Sequence, residues 1–232
     1  MIEDIPGEPL LLAEVNILRE LPQSELEYLA RQCPIVPLAE KESLALGAYQ
    51  QGVILLLSGT VRLYEPTTFG TQDLTFSLVE GGTVVGQPAS IPRPSRVEAL
   101  EASVLMVLGL EDFEGLVVRN PRVGLKTIRL FGERLEQYEG RLSNLIRKEV
   151  PARLAGLLLR LSEREDAMAG DGERKIPARY THRLLASMVG SNREAVTRAF
   201  GVLRQAGAVE TRERQIYVTD ASALADFAEA VR

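Results

Sequence analysis

The chain has 232 residues, 45% hydrophobic and 25% charged, which is apolar material enough for one large core or two ordinary domains. No run approaches the roughly 20 uninterrupted apolar residues of a membrane span, Met1-Ile2-Glu3-Asp4 is acidic where a secretory signal is basic, and the single cysteine, Cys33, excludes an intramolecular disulfide or a cluster on four thiolates of one chain; a cytoplasmic protein with no membrane partner is expected. The net charge of −5 is uneven, with 14 basic against 21 acidic residues up to Glu149 and 13 against 11 from Val150 onward.

In chain order, Ala13 to Gln32 places Ile17, Leu18, Leu21, Leu26, Leu29 and Ala30 at helical spacing around Pro22, which predicts one or two short helices. From Ile35 to about Leu108 the texture becomes β-rich: Val53 to Leu57, Thr60 to Tyr64, Leu74 to Val79, Thr83 to Val85 and Val104 to Leu108. Ser58-Gly59 and Gly81-Gly82 separate runs as tight turns, so this part reads as an antiparallel β-roll or barrel. Asn120-Pro121 reads as a helix start, with Asn120 as N-cap and proline at the first helical position. Ile128, Phe131, Leu135, Tyr138, Leu142 and Leu145 then step by three and four for about three heptads, the seam of a coiled-coil dimer. Pro151 ends that helix near Glu149, and Leu154, Leu157, Leu158 and Leu161 mark the next one. The domains expected are therefore 1–119, 120–149 and 150–232: an α+β chain of β-roll, dimerisation helix and C-terminal winged helix.

Thr181 to Arg198 has the form of a helix-turn-helix, with Ala186 small at the crossing, Gly190 at the turn and Val196 on the buried face of the second helix. Ser191 is expected to cap that helix, with Glu194 completing a capping box. Arg193, Glu194, Thr197 and Arg198 fall on the opposite face at its N-terminal end, where recognition helices meet base edges: the arginines suit guanine O6 and N7, and Glu194 suits a cytosine amino group. Two runs, Ala208 to Thr211 and Gln215 to Thr219, flank Arg212-Glu213-Arg214 as a wing. Arg212 and Arg214, with Ser191 and Arg183, are the expected phosphate-backbone contacts. The partner so defined is double-stranded DNA, read by a homodimer. With one histidine, His182, one cysteine and no paired acids at a plausible site, neither an enzyme nor a metal site is expected.

This order of parts resembles the cyclic AMP receptor protein and fumarate-nitrate reduction regulator family over nearly the whole chain. The local text agrees at Val53 to Tyr64 (VILLLSGTVRLY), Ala152 to Leu161 (ARLAGLLLRL) and Gly190 to Arg198 (GSNREAVTR). The resemblance puts the base-reading roles on Arg193, Glu194 and Arg198. It also implies TGTGA-like half-sites in an inverted repeat and RNA polymerase as a further partner.

The resemblance implies an effector pocket at Gly86, Gln87, Arg93 and Arg96 on the roll, with Tyr138 and Glu139 on the long helix. This sequence departs there: Gln87 stands where a glutamate grips the ribose, and Pro88, Pro92 and Pro94 delete backbone donors from the phosphate cradle. Those departures count against cyclic AMP as a cofactor and leave another small anion, or no effector, as the expectation. The alternative is a sensor module for a small anion or nucleotide, whose winged helix is mainly a protein-interaction surface; salt-dependent, sequence-selective DNA binding separates the two.

Overall fold

Strand β3 (Gly52–Ser58) carries an unbroken apolar run because both of its faces are covered. In this computed structural model, which describes residues 8–46, 52–66, 73–86, 95–163, 174–177, 180–213 and 215–230, Ile54 and Leu56 point into one core while Val53, Leu55 and Leu57 point into another. The chain divides into two compact units, Met1–Thr68 with Thr75–Glu136 and Phe69–Leu74 with Gln137–Arg232.

The first unit opens with helices α1 (Glu8–Glu14) and α2 (Gln23–Gln32). Among the described residues eight strands follow: β1 (Ile35–Leu38), β2 (Ser43–Ala45), β3, β4 (Thr60–Glu65), β5 (Leu74–Glu80), β6 (Thr83–Gly86), β7 (Arg96–Ala99) and β8 (Ser103–Gly109). They form two four-stranded sheets, ordered β1-β8-β3-β6 and β2-β7-β4-β5, the β-roll expected from the alternation of runs and turns. Gly59 (φ +88°) and Gly82 (φ +85°) hold the turns; a Cβ on Gly59 would lie 2.6 Å from the Ala102 carbonyl oxygen. Between the sheets pack Ile54, Leu56, Val61, Leu63, Val97 and Leu105. Outside the first sheet, Leu55, Met106 and Leu108 meet Leu12, Leu18, Leu26 and Leu29 from the N-terminal segment. Cys33 lies in this second core, and burial, then the nearby Asp112 carboxylate, push its thiol pKa up to about 12. It therefore stays protonated and unreactive at neutral pH.

On the second sheet, charged side chains meet across β4 and β7. Arg62 on β4 stands opposite Glu98 on β7 and donates to it twice, from Nε at 3.0 Å and Nη2 at 2.9 Å. The guanidinium lies 4.1 Å from the centre of the Tyr64 ring, and the Arg62 and Glu98 side chains are only 10% and 21% exposed.

Helix α3 (Leu110–Arg119) precedes the long α4 (Pro121–Arg147). Asn120 closes α3, its amide donating to the Leu116 carbonyl, so the expected start of α4 at Pro121 is also the end of another helix. Along the first turns of α4, Val123 and Thr127 are buried, and Leu130 and Phe131 pack on the second core. Arg134 donates to the carbonyl oxygens of Val84 and Val85 at the end of β6. Exposed instead are Ile128 (70%), Leu135 (59%), Tyr138 (40%), Leu142 (60%) and Leu145 (41%). Phe131 thus differs from the other five seam residues in being packed largely on its own unit.

The second unit continues through Glu149, extended at φ −76° and ψ 167°, into α5 (Val150–Ser162), with Pro151 in its first turn where no amide donor is needed. Then come β9 (Arg174–Ile176), α6 (His182–Val189), α7 (Arg193–Gln205), β10 (Val209–Arg212), β11 (Gln215–Val218) and α8 (Ala221–Glu229). Helix α5 is the hub: Leu154, Ala155 and Leu158 are fully buried.

Candidate nucleic-acid interface

Helices α6 and α7 form the helix-turn-helix. Thr181 caps α6, its side chain accepting from the Leu184 amide. Gly190 ends it in the left-handed region at φ 61° and ψ 48°, and a Cβ there would also lie 2.8 Å from Leu145 Cδ2. The next amide, that of Ser191, donates back to the Ala186 carbonyl at 3.0 Å, which makes the turn a Schellman closure.

That closure corrects the expected cap. Ser191 belongs to the end of α6, and Asn192, extended at φ −91° and ψ 162°, caps α7 by accepting from the Ala195 amide through Oδ1 at 2.8 Å. The Ser191 amide being engaged with Ala186, the reciprocal bond from Glu194 does not form. Its carboxylate stands exposed in the first turn of α7, where the helix dipole favours it.

Val196, Ala199, Phe200 and Leu203 bury the inner face of α7, against a domain core that includes Leu185 and Ala186. The opposite face presents Arg193, Glu194, Thr197 and Arg198, all on the first two turns and none of them buried. Arg183 on α6 is likewise open to solvent. His182 was not among the expected contacts, yet its Nδ1 lies 3.1 Å from Thr197 Oγ1, across the two helices. Burial, and then the Arg193 guanidinium, hold its pKa below the ordinary histidine value.

The wing is the β10–β11 hairpin, paired Val209 to Val218 through Arg212 to Gln215, with β9 on its far edge. Arg212 bridges to Glu210 at 2.8 Å and stacks over Tyr217 at 5.1 Å, which holds it along the strand. Arg214 lies outside the described residues. At the root of the unit, Arg153 donates to three carbonyls, Leu145 in the last turn of α4, Lys148 just past it and Val189 at the end of α6, at 3.4, 2.9 and 3.0 Å.

Of the expected effector residues, Gly86 ends β6 beside Ile54 and Leu46, and Arg96 on β7 donates to the Ser43 hydroxyl at 2.8 Å. Tyr138 and Glu139 are exposed on α4. Gln87 and Arg93 lie outside the described residues. Elsewhere in the first unit, a cleft of about 240 Å³ is lined by Glu20, Arg119, Arg122 and Lys126, whose cations are already paired with Glu20 and Glu25. Among the described residues no group of three potential metal ligands occurs, and no helix is long and apolar enough to cross a membrane.

Comparison with known proteins agrees with this geometry. Residues 152–227 match the family model of the Crp-like helix-turn-helix domain. The cyclic AMP receptor protein of Thermus thermophilus is 29% identical over 185 residues, covering 78% of this chain and 82% of that protein. The CRP-like cAMP-activated global transcriptional regulator of Mycobacterium tuberculosis is 22% identical over 219 residues, 93% of this chain and 97% of its own. The crystal structure of a CRP/FNR-family transcriptional regulator, also from Thermus thermophilus, superposes with a TM-score of 0.72 at 26% identity, covering 85% of this chain and 99% of that one. With its β-roll, its long helix and a Crp-like helix-turn-helix domain over residues 152–227, the chain is similar in sequence and in fold to the DNA-binding transcription regulators of the CRP/FNR family, a family of regulators and not of enzymes.

Proposed function

We propose that the protein acts in the cytoplasm as a homodimer on an inverted-repeat DNA site with TGTGA-like half-sites, meets RNA polymerase there, and does so without cyclic AMP. The observation that carries this reading is the pairing of two exposed surfaces: an apolar stripe on α4 left without cover in one chain, and a compact polar face on α7. Arg193 and Arg198 clamp guanine, Glu194 accepts from cytosine and Thr197 completes the face. Ser191, Arg183, Arg212 and Arg214 lie along phosphates.

Arg193→Ala and Arg198→Ala are each expected to cost roughly 1 to 3 kcal/mol on the selected site while hardly changing affinity for random DNA. Arg212→Ala is expected to weaken all sequences alike and to lower the salt slope by about one. Fluorescence anisotropy on both DNAs across a salt series separates the two roles. Equal loss on both DNAs for Arg193→Ala would remove it from base reading.

Independence from cyclic AMP rests on the chemistry of the loop sequence. Gln87 offers no carboxylate, three prolines withhold backbone donors, and Arg96 on β7 is engaged with Ser43. An effector shifts a dimer toward its DNA-binding geometry only by binding that geometry more tightly. Protein freed of small molecules by unfolding and refolding is expected to bind its site equally with and without the nucleotide. A tenfold gain on adding it, equivalent to about 1.4 kcal/mol of coupling, would overturn this part of the reading.

A further inference from the structure

We infer that His182 is a positioning residue that makes Thr197 present its methyl group, not its hydroxyl, to DNA, so that α7 reads a thymine methyl at this position. The inference rests on the assignment of α7 as the base-reading helix. His182 sits in the first turn of α6, with its ring centroid 5.2 Å from that of Phe200, a buried residue of α7. That contact holds the imidazole between the two helices, with Nδ1 3.1 Å from Thr197 Oγ1.

The Thr197 hydroxyl has one hydrogen, and it is donated to the Arg193 carbonyl at 2.9 Å. At the His182 contact, therefore, Thr197 accepts and Nδ1–H donates. The Nδ1–H tautomer is a neutral form, the charge state that burial and the Arg193 guanidinium favour. A helical threonine divides between rotamers according to whether its hydroxyl bonds the preceding turn. Here two partners hold the oxygen against the protein, one on each helix. What the exposed side chain has left to offer the major groove is Cγ2.

The distinction bears on specificity. A free threonine hydroxyl both donates and accepts, so it discriminates poorly among base edges, whereas its methyl group matches the C5-methyl that only thymine carries among the four bases. His182 thereby narrows what Thr197 reads without touching a base itself.

The test begins with selection from a random duplex library by the full-length chain. Each thymine of the selected half-site is then replaced by deoxyuridine, which deletes only the methyl, and affinity is read by fluorescence anisotropy at fixed salt. Wild type is expected to show one thymine per half-site at which uracil weakens binding roughly fourfold, the scale of one buried methyl group. Thr197→Val keeps that preference, because valine retains a methyl without a hydroxyl, and Thr197→Ser abolishes it. His182→Ala reduces the preference toward one, and Thr197→Val placed in the His182→Ala chain restores it, an outcome that general loosening of the helix pair does not produce. A flat uracil scan, an undiminished preference in His182→Ala, or a preference that vanishes in Thr197→Val would each overturn the inference while leaving α7 as the reading helix. A library that enriches no sequence would overturn the reading assignment itself.

Discussion

Replacing Leu135 and Leu142 together by lysine is expected to give a folded monomer that no longer binds the paired half-sites. In the single chain these side chains are 59% and 60% exposed, so charge there disturbs little of the fold, and changes at such surface positions usually stay within about 0.5 kcal/mol. Across a two-fold seam the same lysines must be buried against apolar partners, and an unpaired buried charge costs several kcal/mol. Two recognition helices must also lie roughly 34 Å apart to enter successive major-groove faces, so loss of the dimer removes the second half-site altogether. Sedimentation at micromolar concentration, with anisotropy on single and paired half-sites, checks both halves of the expectation. A wild-type chain that sediments as a monomer yet binds the palindrome tightly would refute the seam.

The second large effect is on stability. Glu98→Ala is expected to cost about 1 to 3 kcal/mol, because it removes two charge-assisted hydrogen bonds from the Arg62 guanidinium, which keeps the Thr75 hydroxyl and the Tyr64 ring as neighbours. For a chain of this size that corresponds to a fall in melting temperature of roughly 5 °C by calorimetry. Replacing both partners with apolar residues, Arg62→Met with Glu98→Leu, should recover most of the loss, since neither charge is then left behind. A Glu98→Ala chain within about 1 kcal/mol of wild type would mean that water reaches the pair.

The same pair shows where sequence reasoning stops. Arg62 and Glu98 are 36 residues apart and meet only because β4 and β7 are neighbours in one sheet, an order that no local pattern announces. By contrast, β3, β4, β6 and β8 were legible: each is an apolar or β-branched run, and Gly59 and Gly82 mark turns that demand positive φ. Helix α3 was hidden because its apolar residues Phe113, Leu116 and Val117 follow β8 with no breaker between them except Gly109. The three-residue β9 carries too short a period to register, and its place on the edge of β11 is a tertiary fact. At the interface, the outward face of α7 follows from helical geometry alone, so Arg193, Glu194, Thr197 and Arg198 fall together as expected. The cap was displaced by one residue because Ser191 and Asn192 are both good capping types, and only the Schellman closure after Gly190 decides between them. His182 escaped notice because its partner lies on the next helix. The effector loop around Gln87 and Arg93 lies outside the described residues.

Arg153 draws onto one guanidinium a carbonyl from the last turn of α4, one from the residue after that helix and one from the end of α6, while Leu145 fills the space beside Gly190. The final turn of α4 and the turn of the helix-turn-helix are therefore fastened to one another at several points. In the proposed dimer the spacer between half-sites is then set at the seam: a change in how two copies of α4 mesh is expected to be carried to the recognition helices, and variants with altered spacing to arise along Ile128 to Leu145 before they arise on the reading face.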